Sequence, residues 1–215
     1  MLSINPGGLG VAIGKALRSK GYNLALLYAP FEADKVDSTL SSNFGDDGHD
    51  TAVHKYCCDI TSDLSVQEAF SAIDNCLSAS SGKVLPSILI NTAGYVSLHP
   101  LETTPTEEIV KHLHVNLLGP ILVAQAFAKL YFTYSDKYKD AMPPGRIVNI
   151  ASQAAHVALA QHGSYCASKA GLVGATRSMA SEWGPRGITA NSISPGPVMT
   201  DLGKKAWGAD DVREA

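Results

Sequence analysis

Short apolar runs of strand length alternate along this chain with stretches of helical periodicity, a pattern that points to a parallel sheet covered by helices on both faces. Strands are expected at residues 23–28 (NLALLY), 51–58, 87–91 (SILIN), 146–151 (RIVNIA) and 188–194. Helices are expected at 9–20, closed by Gly21, at 35–44, 65–77 and 106–128, and at 164–183, closed by Gly184-Pro185. The Gly119-Pro120 pair should kink or locally break the fourth of these helices, because proline removes a backbone donor. Residues 130–144 should extend that helix and then loop to the next strand. Four strand-then-helix repeats make a doubly wound α/β fold of Rossmann-like type, in which ligands sit beyond the carboxyl ends of the strands.

No composition shift or internal repeat divides the 215 residues, so residues 1–215 read as a single domain. The charge of −3 offers no basic surface for nucleic acid. No run of about 18 apolar residues suggests a membrane span, and the first residues lack the pattern of a signal peptide. The cysteines, Cys57, Cys58, Cys76 and Cys166, form no CxxC pair, and no Cys/His spacing fits a metal site. Reduced thiols in a cytoplasmic protein are expected. The seven histidines are scattered and none receives a role.

Residues 6–14 read PGGLGVAIG, with Gly8, Leu9 and Gly10 at the entry to the first helix. Glycine there lets a phosphate approach the backbone, and the free N–H groups of the helix start can bind it; a plain turn into a helix reads equally well. A dinucleotide-binding turn should follow a buried strand. Only residues 1–4 precede this one, so the first strand is expected to be short.

The most specific signal lies between residues 148 and 200. Tyr165 and Lys169 are four apart on an expected helix and face the same way. Ser152 ends a strand thirteen residues before Tyr165. A lysine cation beside a tyrosine should favour the phenolate and lower its pKa, making it a usable acid/base. A serine hydroxyl can steady charge on a substrate oxygen.

Together these pieces resemble the short-chain dehydrogenase/reductase family over nearly the whole chain. The family's Ser and Tyr-x-x-x-Lys set matches Ser152, Tyr165 and Lys169. Its Asn-Asn-Ala-Gly turn matches Asn91-Thr92-Ala93-Gly94 with one substitution. Its helix asparagine, which holds a proton-relay water, matches Asn116, and its adenine-contacting Asp matches Asp59. Its Pro-Gly loop matches residues 195–200 (PGPVMT), so that Val198 and Thr200 would contact the nicotinamide amide and the phosphates. Read singly, Asn91 suits a turn cap, Asp59 a helix cap, Asn116 a polar residue at the Gly-Pro kink, and Thr200 an N-cap.

The resemblance implies an oxidoreductase that moves a hydride between NAD(P)(H) and a carbonyl or secondary alcohol. The stretch ending TDLGKKAW resembles the sugar-alcohol dehydrogenase branch, implying a small polyol and its ketose. A 3-oxoacyl or secondary-metabolite ketone reductase, and an inactive nucleotide-binding homologue, are the alternatives. The family's first glycine falls on Ile4, and the family continues about one strand beyond Ala215, so the domain is expected to be truncated at both ends. An acid at the end of the second strand would accept the ribose of NAD; here Tyr28-Ala29-Pro30 holds none, and the row LLYAP resembles users of NADP(H), the expected cofactor over NAD(H). Family likeness further implies a homodimer or homotetramer built on the helices of Asn116 and Tyr165.

Overall fold

The structure of the chain, a computed structural model, describes residues 2–3, 8–45, 51–198 and 200. Six parallel strands form one sheet: β1 Leu2–Ser3, β2 Leu24–Tyr28, β3 Val53–Cys57, β4 Ile88–Asn91, β5 Gly145–Ile150 and β6 Ile188–Ile193. Their order is β3-β2-β1-β4-β5-β6, the doubly wound arrangement that reverses direction beside β1. The described residues of β1 pair Leu2 with Leu26 and Ile90, and Ser3 with Leu27 and Asn91.

The helices are α1 Leu9–Arg18, α2 Ala33–Phe44, α3 Asp63–Ala79, α4 Thr106–Leu113, α5 Gly119–Tyr138 and α6 Gly163–Trp183. Successive strand residues point to opposite faces, so each strand feeds two cores. On one face Leu27, Leu89 and Ile147 meet Val66, Phe70, Val123, Phe127 and Met179 of α3, α5 and α6. On the other, Leu24, Leu26, Ile90 and Ile150 meet Val11 of α1 and Phe44 of α2. By length and composition alone residues 106–141 could cross a bilayer; half of the most apolar window is buried in the fold, as befits a core helix.

The expected interruption falls just before Gly119-Pro120. Between α4 and α5 the chain makes one wide π turn, His114–Leu118, closed by the Gly119 N–H on the His114 carbonyl. Pro120 stands in the first turn of α5, where its missing donor costs nothing. Gly119 serves close packing: a Cβ there would lie 2.7 Å from Ile60 Cδ1. The readings placed on residues 4–7 and 201–215, the family glycine expected at Ile4 and the end of the TDLGKKAW stretch, lie outside the described residues.

Candidate functional site

β5 delivers the chain to Ser152, the N-cap of a single helical turn, Gln153–Ala155. The Ser152 Oγ accepts the Ala154 N–H at 3.1 Å and is 9% exposed. With a lone pair engaged by the backbone, the hydroxyl proton is left to be donated elsewhere. The Gln153 N–H bonds the Pro195 carbonyl at 2.9 Å, which ties this turn to the loop after β6.

Tyr165 and Lys169 stand one turn apart at the start of α6. The Lys169 Nζ donates to the Ile150 carbonyl at 2.8 Å and lies 5.8 Å from the Tyr165 ring centroid. Burial pulls the pKa of the ammonium down to about 8. The expectation that this lysine lowers the Tyr165 phenol is not met. Burial raises the phenol above its ordinary value, the Ser152 hydroxyl alone opposes the rise, and Lys169 is held by the Ile150 carbonyl instead of by the phenol oxygen.

Asn116 sits in the π turn with no exposed surface. Its Oδ1 accepts the Tyr95 N–H at 2.8 Å, and its Nδ2 donates to the Tyr95 carbonyl at 2.9 Å and to Ser168 Oγ at 3.1 Å. The side chain therefore clamps the strand-end loop to α6. An irregular helical turn of this kind frees backbone groups near a site.

Two histidines flank the tyrosine. The rings of His112 and His162 lie 6.2 and 6.1 Å from that of Tyr165, both edge-on. The His112 ring binds the Glu108 carbonyl through Nδ1 at 2.7 Å and the Ser97 N–H through Nε2 at 3.2 Å. A carbonyl only accepts and an N–H only donates, so these partners assign the neutral tautomer with its proton on Nδ1. Burial lowers its pKa, consistent with that form. Sequence reading missed both histidines. The signal for His162, three residues before Tyr165, was present; that for His112 depends on long-range folding.

Asn91 ends β4 with its amide turned inward. The Nδ2 donates to Asn149 Oδ1 at 2.8 Å and the Pro120 carbonyl at 3.3 Å, while Asn149 Nδ2 donates to Thr176 Oγ1 at 2.9 Å. This buried chain of polar groups joins β4, β5 and α6 behind the site. Asn149 interrupts the apolar run RIVNIA, a signal that was legible but not used.

Facing the trio, a pocket of about 90 Å3 is lined by Leu9, Gly94, Val198 and Thr200 as well as Ser152 and Tyr165. Gly8 has φ +77°, and a Cβ there would sit 2.8 Å from Thr200 Cγ2, so only glycine suits this turn. Gly10 is buried one residue inside α1, whose free N–H groups open beside Gly8. A glycine cradle at the start of a ten-residue helix fits a pyrophosphate.

A second pocket, about 120 Å3, continues past Ala93 and Gly94 to Ala29, Glu32 and Asp59 at the ends of β2 and β3. Asp59 Oδ1 accepts the Thr61 N–H at 2.9 Å and Thr61 Oγ1 at 2.7 Å. The α3 cap is Ser62, whose hydroxyl accepts the Ser65 N–H, so the capping alternative for Asp59 falls away. Glu32 went unread in the sequence, where inspection stopped at Pro30. Its carboxylate accepts the Ala29 N–H at 2.9 Å, it is 8% exposed, and burial raises its pKa.

The two pockets together form a trough along the carboxyl ends of the strands, with an acid at one end and Ser152, Tyr165 and Lys169 at the other. Residues 4–215 match the family described as enoyl-(acyl carrier protein) reductase, a short-chain alcohol dehydrogenase profile. The chain is 38% identical over 200 residues to D-threitol dehydrogenase of Mycolicibacterium smegmatis, covering 93% of this chain and 70% of that one. It is 32% identical over 197 residues to the human 3-oxoacyl-[acyl-carrier-protein] reductase, 92% of this chain and 74% of the other. The crystal structure of a dehydrogenase/reductase from Sinorhizobium meliloti 1021 superposes with TM-score 0.78 at 26% identity, covering 97% of this chain and 75% of that one. Sheet order, trough and relatives agree, and the chain belongs to the short-chain dehydrogenase/reductase family.

Proposed function

We propose that this chain reduces the carbonyl of a small polyol-derived ketone, and oxidises the matching secondary alcohol, with NAD(P)(H). The observation that carries this reading is the meeting of Ser152, Tyr165 and Lys169 on one wall of the pocket that Leu9, Gly94 and Val198 complete. The glycine cradle at Gly8 and the neighbouring Asp59 pocket fit a dinucleotide laid along the trough. When bound, the nicotinamide supplies or accepts the hydride.

The protein's own groups handle the oxygen and the proton. Ser152, its Oγ already accepting from Ala154, donates to the carbonyl oxygen as negative charge grows there. The Tyr165 hydroxyl, kept protonated by burial, delivers a proton to the same oxygen, and takes one back in the oxidative direction. Lys169 holds the Ile150 carbonyl and carries a cation into the buried wall. Asn116 fixes the loop at Tyr95 and, by widening the helix, leaves backbone oxygen available to a relay water.

The cofactor preference we propose reverses the sequence expectation of NADP(H). The described residues lining the adenosine pocket include two carboxylates, Glu32 and Asp59, and no cation. A ribose hydroxyl can donate to such a carboxylate, whereas a 2′-phosphate would be repelled. NAD(H) is therefore the preferred form.

Similarity to the threitol enzyme supports a polyol substrate over an acyl thioester. Exposed Leu101, Val110 and Leu113, on and beside α4, suit a homo-oligomeric contact of the helices around the site. All four cysteines are free thiols, in keeping with a cytoplasmic setting.

Fluorescence titration with NADH and NADPH, followed by turnover on ketoses and a 3-oxoacyl thioester, tests the reading. Tighter NADH binding with ketose turnover is expected. Turnover confined to the thioester would replace the substrate, and binding without any turnover would identify a non-catalytic homologue.

A further inference from the structure

Glu108 and His112 of α4 and Asn116 of the π turn follow one another at intervals of four residues, along one face of the winding chain. All three grip the same short segment of the loop after β4. Asn116 binds both backbone groups of Tyr95. The Glu108 carboxylate accepts the Tyr95 hydroxyl at 2.7 Å and the Ser97 hydroxyl at 2.6 Å. The His112 Nε2 accepts the Ser97 N–H. Between these anchors Val96 is 2% exposed and lines the pocket together with Ser152 and Tyr165. The position of this segment therefore sets one wall of the site.

Of the three anchors, His112 is the one that a proton would undo. Asn116 does not titrate, and a protonated Glu108 keeps an oxygen with which to accept. A proton on His112 Nε2 would leave two donors, that nitrogen and the Ser97 N–H, pointed at each other across 3.2 Å. The groups around the ring come from three places: Glu108 on α4 itself, with Lys111 over the Tyr95 ring; Tyr95 and His99 on the loop; and Tyr165 and His162 on α6. Burial first, and then His99 and His162, oppose the cation and outweigh Glu108, so the ring titrates below its ordinary value.

We propose that His112 is a positioning residue: neutral, it holds residues 95–97 in the wall of the pocket; protonated, it lets them go and turnover falls. The inference rests on the carbonyl-reductase reading above and adds to it a group that acts through the loop instead of on the substrate.

The test compares the full parent chain with His112→Gln, whose side-chain oxygen can accept the Ser97 N–H whatever the pH. Parent kcat/KM for a ketose should fall about tenfold per pH unit below the titration of the ring, while the NADH dissociation constant from fluorescence holds. In His112→Gln that fall should be absent down to about pH 5, above the ordinary carboxylate range. His112→Leu, which offers no acceptor, should be slow at every pH. Hydrogen exchange of the Ser97 amide gives a readout without substrate. Corrected for the intrinsic effect of pH, it should quicken about tenfold on acidification in the parent and not in His112→Gln. A flat parent profile, a fall that NADH binding shares, an acid limb unchanged in His112→Gln, or Ser97 exchange indifferent to acid would overturn the inference. Both parent measurements decide even where a variant fails to fold. A parent that turns over neither a ketose nor a 3-oxoacyl thioester, with the Ser97 response intact, would instead overturn the carbonyl-reductase reading, and with it the tie of the loop to turnover.

Discussion

The two halves of the sheet, divided by β1, hold their share of the trough in different ways. On the β4-β5-β6 side buried amides are tied to several groups at once: Asn116 makes three hydrogen bonds with no exposed surface, and Asn149 links Asn91 to Thr176. On the β2-β3 side Asp59 is exposed, its carboxylate accepts from its neighbour Thr61, and β3 is largely open to solvent. The chemistry is thus set in a rigid, over-determined wall, and the adenosine end in a looser one. Partially satisfied polar networks are costly and full ones specify a single arrangement. Changes of cofactor should therefore be easy to make and changes of reaction hard.

Breaking the rigid side should have the largest effects. Tyr165→Phe is expected to lower kcat by about a thousandfold, within the usual range for loss of a general acid/base, while the NADH dissociation constant from fluorescence changes little. Equal losses in both would move the residue from chemistry to binding. Lys169→Met should harm turnover and cofactor binding together, and it carries a distinctive pH signature. The folded lysine titrates near 8, below its ordinary 10.5, so between those values the unfolded chain binds more protons and stability rises with pH. Thermal melts of the parent should gain in that window relative to Lys169→Met, and a constant difference from pH 7 to 10.5 would contradict the buried cation.

Asn149→Ala tests the back of the wall. It strands the Asn91 amide and empties a buried volume, and denaturant melts should show a loss of about 2–4 kcal/mol. A loss under about 0.5 kcal/mol, the scale of surface changes, would mean that the buried chain of amides matters little to the fold. The smallest effect belongs to the loose side. Glu32→Gln should shift the NADPH-to-NADH affinity ratio about tenfold toward NADPH, or ~1.4 kcal/mol, with kcat for a ketose nearly unchanged. An unmoved ratio would return the preference to residues elsewhere.

The contrast also describes what could be read from the chain. Element order and the Tyr165–Lys169 pair were legible because they depend on local periodicity, 2 for strands and about 3.6 for helices. The β2 acid was missed because Glu32 reaches the strand end by folding back on Ala29 through a short helical turn, not by occupying the last strand position. The π turn was invisible, since Gly119-Pro120 announced an irregularity at the wrong residue. The partners of Asn149 and Asn116 lie 21–58 positions away along the chain, beyond any local pattern. The direction of the Tyr165 shift followed from burial depth, which spacing alone does not reveal.

The wide turn at His114–Leu118 bears on how this protein can change over generations. Removing a residue from a regular helix rotates everything downstream by about 100° and usually ruins the packing. Here the turn already winds one residue more than a regular one, so a single deletion would restore even winding and leave α5 seated. Asn116 would lose its aim at Tyr95 and Ser168. At this point in the molecule shape and reactivity are inherited separately, and one lost codon suffices to turn an enzyme into a folded, silent copy of itself.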